Sequence, residues 1–140
     1  MTLDFSAFEN AINQLSDSLI QYQSDIVQKN PQLQIHMRAG AIQAFEFTYE
    51  LSHKMLKRYL ENTEPSADVV EGMAFETLIR TGNERGLLLS DVAAWRNYRA
   101  KRGTTSHTYN EEKAEVVFEN IPLFLKEAKY LLEALKEKMP

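Results

Sequence analysis

Apolar residues recur at spacings of three and four along almost the whole chain, and nowhere do they alternate one on, one off. Phe5, Phe8, Ile12, Leu15, Leu19, Tyr22 and Ile26 form one such series. This is the seam of a helix that packs by one face, and it leaves little room for strands. Ser6 and Glu9 have the spacing of a capping box at its start. Asn30-Pro31 should end it, because proline has no amide donor and disfavours helix before it. A second helix is expected from about Gln34 to Glu61. It carries Ile42, Phe45, Tyr49, Ser52, Leu56 and Tyr59 on one stripe and Ala44, Phe47, Leu51 and Met55 on another. Two adjacent stripes imply several neighbours, so this helix should be central. Gly40 within it suggests a close helix crossing.

Pro65-Ser66 opens a third, shorter helix with Val70, Met73, Ala74, Leu78 and Ile79 apolar, stopped by Gly82 and followed by a loop from Thr81 to Leu89. Ser90-Asp91 suits the N-cap of a fourth, carrying Val92, Trp95 and Tyr98, with Gly103 at its C′ position. A fifth begins around Thr108 to Asn110, with Thr108 and Glu111 at capping-box spacing. It continues through Ala114, Val117, Phe118, Ile121, Leu125, Ala128, Leu132 and Leu135, and Pro122 should kink or split it. The expected fold is all-α: an up-down antiparallel bundle of four main helices plus a shorter helix, in a single domain spanning residues 1–140.

A chain of 140 residues can bury a core without metal or disulfide. It has no cysteine, which removes disulfides and thiolate zinc sites. Met1-Thr2-Leu3-Asp4-Phe5 has neither the basic nor the apolar region of a secretory leader, and no apolar run is long enough to span a bilayer. A cytoplasmic protein is expected. The net charge of −4 excludes general attraction to nucleic acid, so RNA binding would need a local patch. Arg96, Arg99, Lys101 and Arg102 are the candidates for phosphate or nucleotide; the alternative is a solvated helix face with its charge near a helix C-terminus.

Chemistry concentrates in Lys101-Arg102-Gly103-Thr104-Thr105-Ser106-His107-Thr108-Tyr109-Asn110. Arg102 offers a planar cationic fork for phosphate. His107 can exchange a proton near neutral pH. Tyr109 offers a hydroxyl for donation, acceptance or modification. The alternative is that His107 and Tyr109 only cap and pack a helix junction. Glu50-x-x-His53 is half of a di-iron pattern with no second copy, so both read as polar helix positions and no metal or other cofactor is expected. Glu46 and Glu50 share a face without an evident partner. His36 reads as a surface or dimer-facing residue and Trp95 as a core anchor.

Arg102-x4-His107-x-Tyr109 resembles the signature of HEPN domains, in the form carried by toxins paired with minimal nucleotidyltransferases. Arg38 to Leu51, followed by Lys54, Leu56, Lys57, Tyr59 and Leu60, resembles the second helix of the nucleotidyltransferase substrate-binding branch of that family, as does Ser106 to Asn110. The resemblance runs from about Phe5 to Leu135. It implies a homodimer with the motif near the dimer cleft, and a cognate minimal nucleotidyltransferase as partner, in a toxin–antitoxin pair. In some members of the family the partner transfers AMP to the motif tyrosine, which here would be Tyr109. The alternatives it leaves open are a metal-independent ribonuclease using Arg102 and His107, with RNA or a nucleotide as ligand, and an inactive dimeric bundle. Nuclease members commonly carry a polar residue after the motif arginine; here that position is Gly103.

Overall fold

The computed structural model describes residues 3–107 and 109–139, and these are almost entirely helical. The helices are α1 (Ser6–Tyr22), α2 (Asp25–Gln28), α3 (Pro31–Thr63), α4 (Ala67–Glu71), α5 (Phe75–Glu84), α6 (Val92–Gly103) and α7 (Glu111–Lys138). A single 3₁₀ turn, Thr105–His107, joins the last two. No described helix is long and apolar enough to cross a membrane.

Contacts fix the directions of the four long elements. Glu9 pairs with Lys136, while Tyr22 meets Phe118 at a ring separation of 4.6 Å, so α1 and α7 are antiparallel. Asn97 donates to Asn120 at 2.8 Å, and the amides of Leu89 and Ser90 reach Glu127, so α6 and α7 are antiparallel too. Arg102 pairs with Glu46 and Glu50 while Tyr49 meets Trp95, which sets α6 against α3. The start of α3, Ile35 to Ile42, shares a hollow with Glu111 and Ala114 at the start of α7, and Phe45 farther on meets Phe124, so α3 and α7 run the same way. The chain therefore runs up, down, up and down through α1, α3, α6 and α7, the expected up-down bundle.

Several boundaries differ from the sequence expectation. The first helix stops at Tyr22, where the Ser24 hydroxyl donates to the Gln21 carbonyl at 2.8 Å and competes with the helical ladder. Ile26 consequently faces solvent rather than extending the seam. Phe5, not Ser6, occupies the N-cap of α1, and the expected capping box is replaced by Asp4 Oδ1 accepting from the Ser6 amide at 2.9 Å. Pro31 starts the central helix rather than merely ending the one before it. Its fixed φ suits the first helical position, and Asn30 caps that helix by accepting from the Leu33 amide at 3.1 Å. Phe47 is exposed, so the second stripe of α3 is only partly covered. Gly40 meets no close neighbour, so no tight crossing explains it.

The third expected helix is two. Extended backbone at Ala74 separates α4 from α5, and α5 runs past Gly82 to Glu84. Gly82 lies inside that helix because a Cβ there would come within 3.0 Å of Leu88. The stop is Gly86, whose φ of 74° is the left-handed value a helix C-terminus favours. The Leu87 amide donates to the Gly82 carbonyl at 2.9 Å and that of Gly86 to Asn83 at 3.0 Å, satisfying two otherwise free carbonyls. Asp91 caps α6 as expected, accepting from Ala94 at 3.1 Å. Gly103 does not take the left-handed C′ role; it is the last residue of α6, and the chain turns on into the 3₁₀ segment. Asn110 caps α7, accepting from the Glu112 and Lys113 amides at 2.9 and 3.2 Å. Thr108 of the expected capping pair lies outside the described residues. Pro122 does not split α7: it is exposed, where water can serve the carbonyl it leaves unpaired.

The core centres on Phe124, which the expected stripe of the last helix omits. Phe45, Tyr49, Trp95 and Tyr98 all contact its ring, at 5.2, 5.9, 6.1 and 5.2 Å between centroids. Side chains from α3 and α6 thus converge on one ring of α7, and Phe124 and Trp95 are fully buried. Glu127, also buried, accepts from the Leu89 amide at 2.7 Å and so fixes the loop entering α6. Phe124→Ala is expected to lower unfolding free energy by about 3–5 kcal/mol, the usual cost of removing a buried aromatic ring. Urea denaturation measures this; a loss below about 1 kcal/mol would show that the cluster is not the keystone of the core.

Candidate functional site at the junction of two helices

The end of α6 lies against the middle of α3. Glu46 and Glu50 are one helical turn apart, so both carboxylates face the same way. Arg102 reaches across to them: it forms a close ion pair with Glu50 and lies 3.5 Å from Glu46. Thr105, buried in the 3₁₀ turn, donates to Glu46 at 2.7 Å and accepts from Arg102 at 3.3 Å. The hydrogen bond with Glu50, supported by the charges of both glutamates, holds the Arg102 pKa above its ordinary value despite some desolvation. The guanidinium is therefore positioned but occupied, and a phosphate must displace a carboxylate to reach it. Its Nε is buried with no hydrogen-bond partner among the described residues. Glu46, Glu50 and Thr105 complete this arrangement. Two acids at i,i+4 spacing were the only sequence signal for it.

His107 and Tyr109 present themselves differently. His107 is exposed at the end of the 3₁₀ turn, and Tyr109 is 86% exposed just before α7. Their rings meet edge to face at 6.4 Å. Tyr109 borders a small hollow lined by Ile35, Arg38, Ala39 and Ile42 of α3 and by Glu111 and Ala114 of α7. Arg102 instead lines a separate groove farther along the same face of α3, with Tyr49, His53, Lys57, Phe75 and Arg99. The structure thus brings His107 and Tyr109 together and gives Arg102 and Tyr109 separate hollows.

The other expected phosphate ligands do not form one patch. Arg96 is engaged with Glu76, at 3.0 Å from Nε and 2.6 Å from a terminal nitrogen, which ties α6 to α5. Lys101 donates to Asn97 at 3.1 Å and borders a shallow hollow against α7. Arg99 lies over the Phe75 ring at 4.5 Å. His53, read as a polar helix position, stacks against the same ring at 6.2 Å with planes 10° apart. Trp95 is a core residue and His36 is exposed, as expected. No cluster of metal-binding side chains occurs among the described residues.

The family model described as "Nucleotidyltransferase substrate binding protein like" matches residues 3–137. The chain belongs to this family. A Haemophilus influenzae protein called "Probable ribonuclease HepT" is 39% identical over 135 residues, covering 96% of this chain and 88% of the relative. A solved H. influenzae structure, described as revealing the fold of a substrate binding domain of a nucleotidyltransferase, shares 36% identity. It superimposes with a TM-score of 0.90 over 95% of this chain and 99% of that one. A crystal structure of a Thermus thermophilus protein is 28% identical, with a TM-score of 0.68 over 91% of this chain and 98% of that chain. This is the HEPN branch that Arg102, His107, Tyr109 and the α3 segment indicate.

Burial in the groove, and then the nearby charges of Lys57 and Arg99, lower the pKa of His53 below its ordinary value. The folded chain thus binds a proton at His53 less readily than the unfolded chain does. Stability should be full above the ordinary histidine range and decline as pH falls through it toward the folded value. Urea unfolding between about pH 5 and 8 is expected to show this slope, and His53→Gln to flatten it. An unchanged slope in the variant would remove His53 as its source.

Proposed function

We propose that this chain is the HEPN-type partner subunit of a minimal nucleotidyltransferase, in a toxin–antitoxin pair, and that Tyr109 accepts the transferred nucleotidyl group. The observation that carries this reading is the exposure of the Tyr109 phenol at the entrance to α7. A second enzyme can reach such a hydroxyl without opening the fold. In the transfer, the phenolic oxygen attacks the α-phosphorus of ATP, the phenol gives up its proton and pyrophosphate leaves. The product carries a phosphodiester charge beside His107, at the start of a long helix whose amide end favours anions. The adduct would crowd the junction and block access to it.

Metal-independent RNA cleavage is the second reading, favoured by the relative called a probable ribonuclease. His107, exposed and uncommitted to an ion pair among the described residues, would take the proton of a ribose 2′-hydroxyl. The oxygen attacks the adjacent phosphorus, the 5′-oxygen leaves, and Arg102 stabilises the charge on the phosphoryl oxygens after exchanging Glu50 for phosphate. The two readings fit together: a modified Tyr109 would silence the neighbouring His107. A cytoplasmic homodimer belongs to the same proposal. Val116, Leu123 and Tyr130, spaced by seven along α7, leave an exposed apolar stripe suited to pairing with a second helix.

Incubation with the cognate transferase and ATP is expected to add AMP to the wild-type chain, read by intact mass, and to add nothing to Tyr109→Phe. An adduct that persists in the variant would move the acceptor elsewhere. RNA cleavage by the unmodified chain in EDTA is expected to fall by about a hundredfold or more in His107→Ala, the usual contribution of a general base. Full activity in that variant would exclude His107 from the chemistry.

A further inference from the structure

The hollow beside Tyr109 combines an apolar floor, an uncovered rim and an uncommitted cation. Ile35, Ala39 and Ile42 recur at i, i+4 and i+7 on α3 and so share one face of it, opposite Ala114 of α7. Ile42 and Ala114 are buried and form the floor, whereas Ile35 is 39% exposed. Tyr109 stands beside it as a second uncovered apolar surface. The space is about 160 Å³. That is well below the roughly 300–1,000 Å³ of small-molecule sites, and it suits a single anchor side chain of a protein partner. Arg38 and Glu111 supply the charge, and neither makes an ion pair among the described residues. Arg38 is on the α3 side and Glu111 on the α7 side, so an incoming carboxylate belongs by the α3 wall.

We propose that this hollow is where the cognate nucleotidyltransferase docks, seating one apolar side chain between Ile35 and Ala114 and a carboxylate against Arg38. This rests on the reading of Tyr109 as acceptor, and adds the surface that the transferase holds while it works there. An enzyme acting on the Tyr109 hydroxyl must cover the surface around that ring, and the hollow is the concave part of that surface. A second copy of the chain is the competing occupant. The exposed stripe of α7 already offers a second copy a longer apolar contact, and it points elsewhere. At about 100° per residue, Val116 lies about 140° round the helix from Glu111 and about 160° from Ala114. The two faces of α7 can therefore be occupied at once.

Isothermal titration calorimetry of the full chain with the cognate transferase, without ATP, reads docking, and intact mass after ATP is added reads transfer. Ile35→Asp and Arg38→Glu are each expected to weaken the complex at least about tenfold, as the loss of a central anchor does. Arg38→Lys should keep most of the affinity. In steady-state AMP addition the two weakened variants should raise KM for the chain at least about tenfold and leave kcat near the wild-type value. Tyr109→Phe should gain no AMP and still bind. Ile35 is exposed, so its replacement leaves the core intact, and thermal melts verify that each variant is folded. Wild-type affinity in either Ile35→Asp or Arg38→Glu, or no complex with the wild-type chain, would overturn the docking site. So would a smaller oligomer of Ile35→Asp in sedimentation with transferase affinity unchanged, which would give the face to a second copy. A wild-type chain that binds through Ile35 and Arg38 yet gains no AMP would instead remove Tyr109 as acceptor and leave the docking surface standing.

Discussion

The meeting of four aromatic rings around Phe124 is the constraint on which the rest depends. Phe45 and Tyr49 come from α3, Trp95 and Tyr98 from α6, and all four pack on one ring of α7. Burying large rings supplies much of the apolar driving force in a chain this size, and their edge-to-face preferences limit how the helices can slide past one another. Arg102 is two turns beyond Trp95 on α6, and Glu46 and Glu50 flank Tyr49 on α3. Fixing Tyr49 against Trp95 therefore fixes the arginine against the two glutamates. The core sets the geometry of the polar junction above it.

That junction divides its groups by availability. Arg102 is held by carboxylates and a buried threonine, while His107 and Tyr109 stand in solvent. The ion pairs are half-exposed, so their direct contribution to stability is small, of the order of 1 kcal/mol or less. Their consequence is chemical. A guanidinium already satisfied by glutamate engages phosphate only by exchange, which ties any role of Arg102 to what approaches Glu50. The phenol has no such restraint.

Much of the helical scaffold was legible because its signals are local and repetitive. The core stripe of α3 from Ile42 to Tyr59 is buried throughout, and Asp91 caps α6 where its type and position indicate. Boundaries were less legible where a polar side chain competes with the ladder, as at Ser24, or where a glycine serves packing rather than turning, as at Gly82. Phe124 escaped the single stripe because α7 touches α1, α3 and α6 and is buried on more than one face. The site was legible as a motif but not as an arrangement. Periodicity along one helix cannot say that Glu46 and Glu50 face Arg102, or that Arg96 turns to Glu76. Those pairings follow from how helices distant in sequence pack.

In the function we propose, a partner enzyme controls this chain at the solvent-exposed phenol of the α6–α7 junction. The decisive measurement is growth of cells expressing the chain, alone and with its cognate nucleotidyltransferase. Arrest by the wild-type chain, relief by the transferase, and arrest that the transferase cannot relieve in Tyr109→Phe are the predicted results. Equal relief of the wild type and the Tyr109→Phe chain, or no arrest by either, would contradict it.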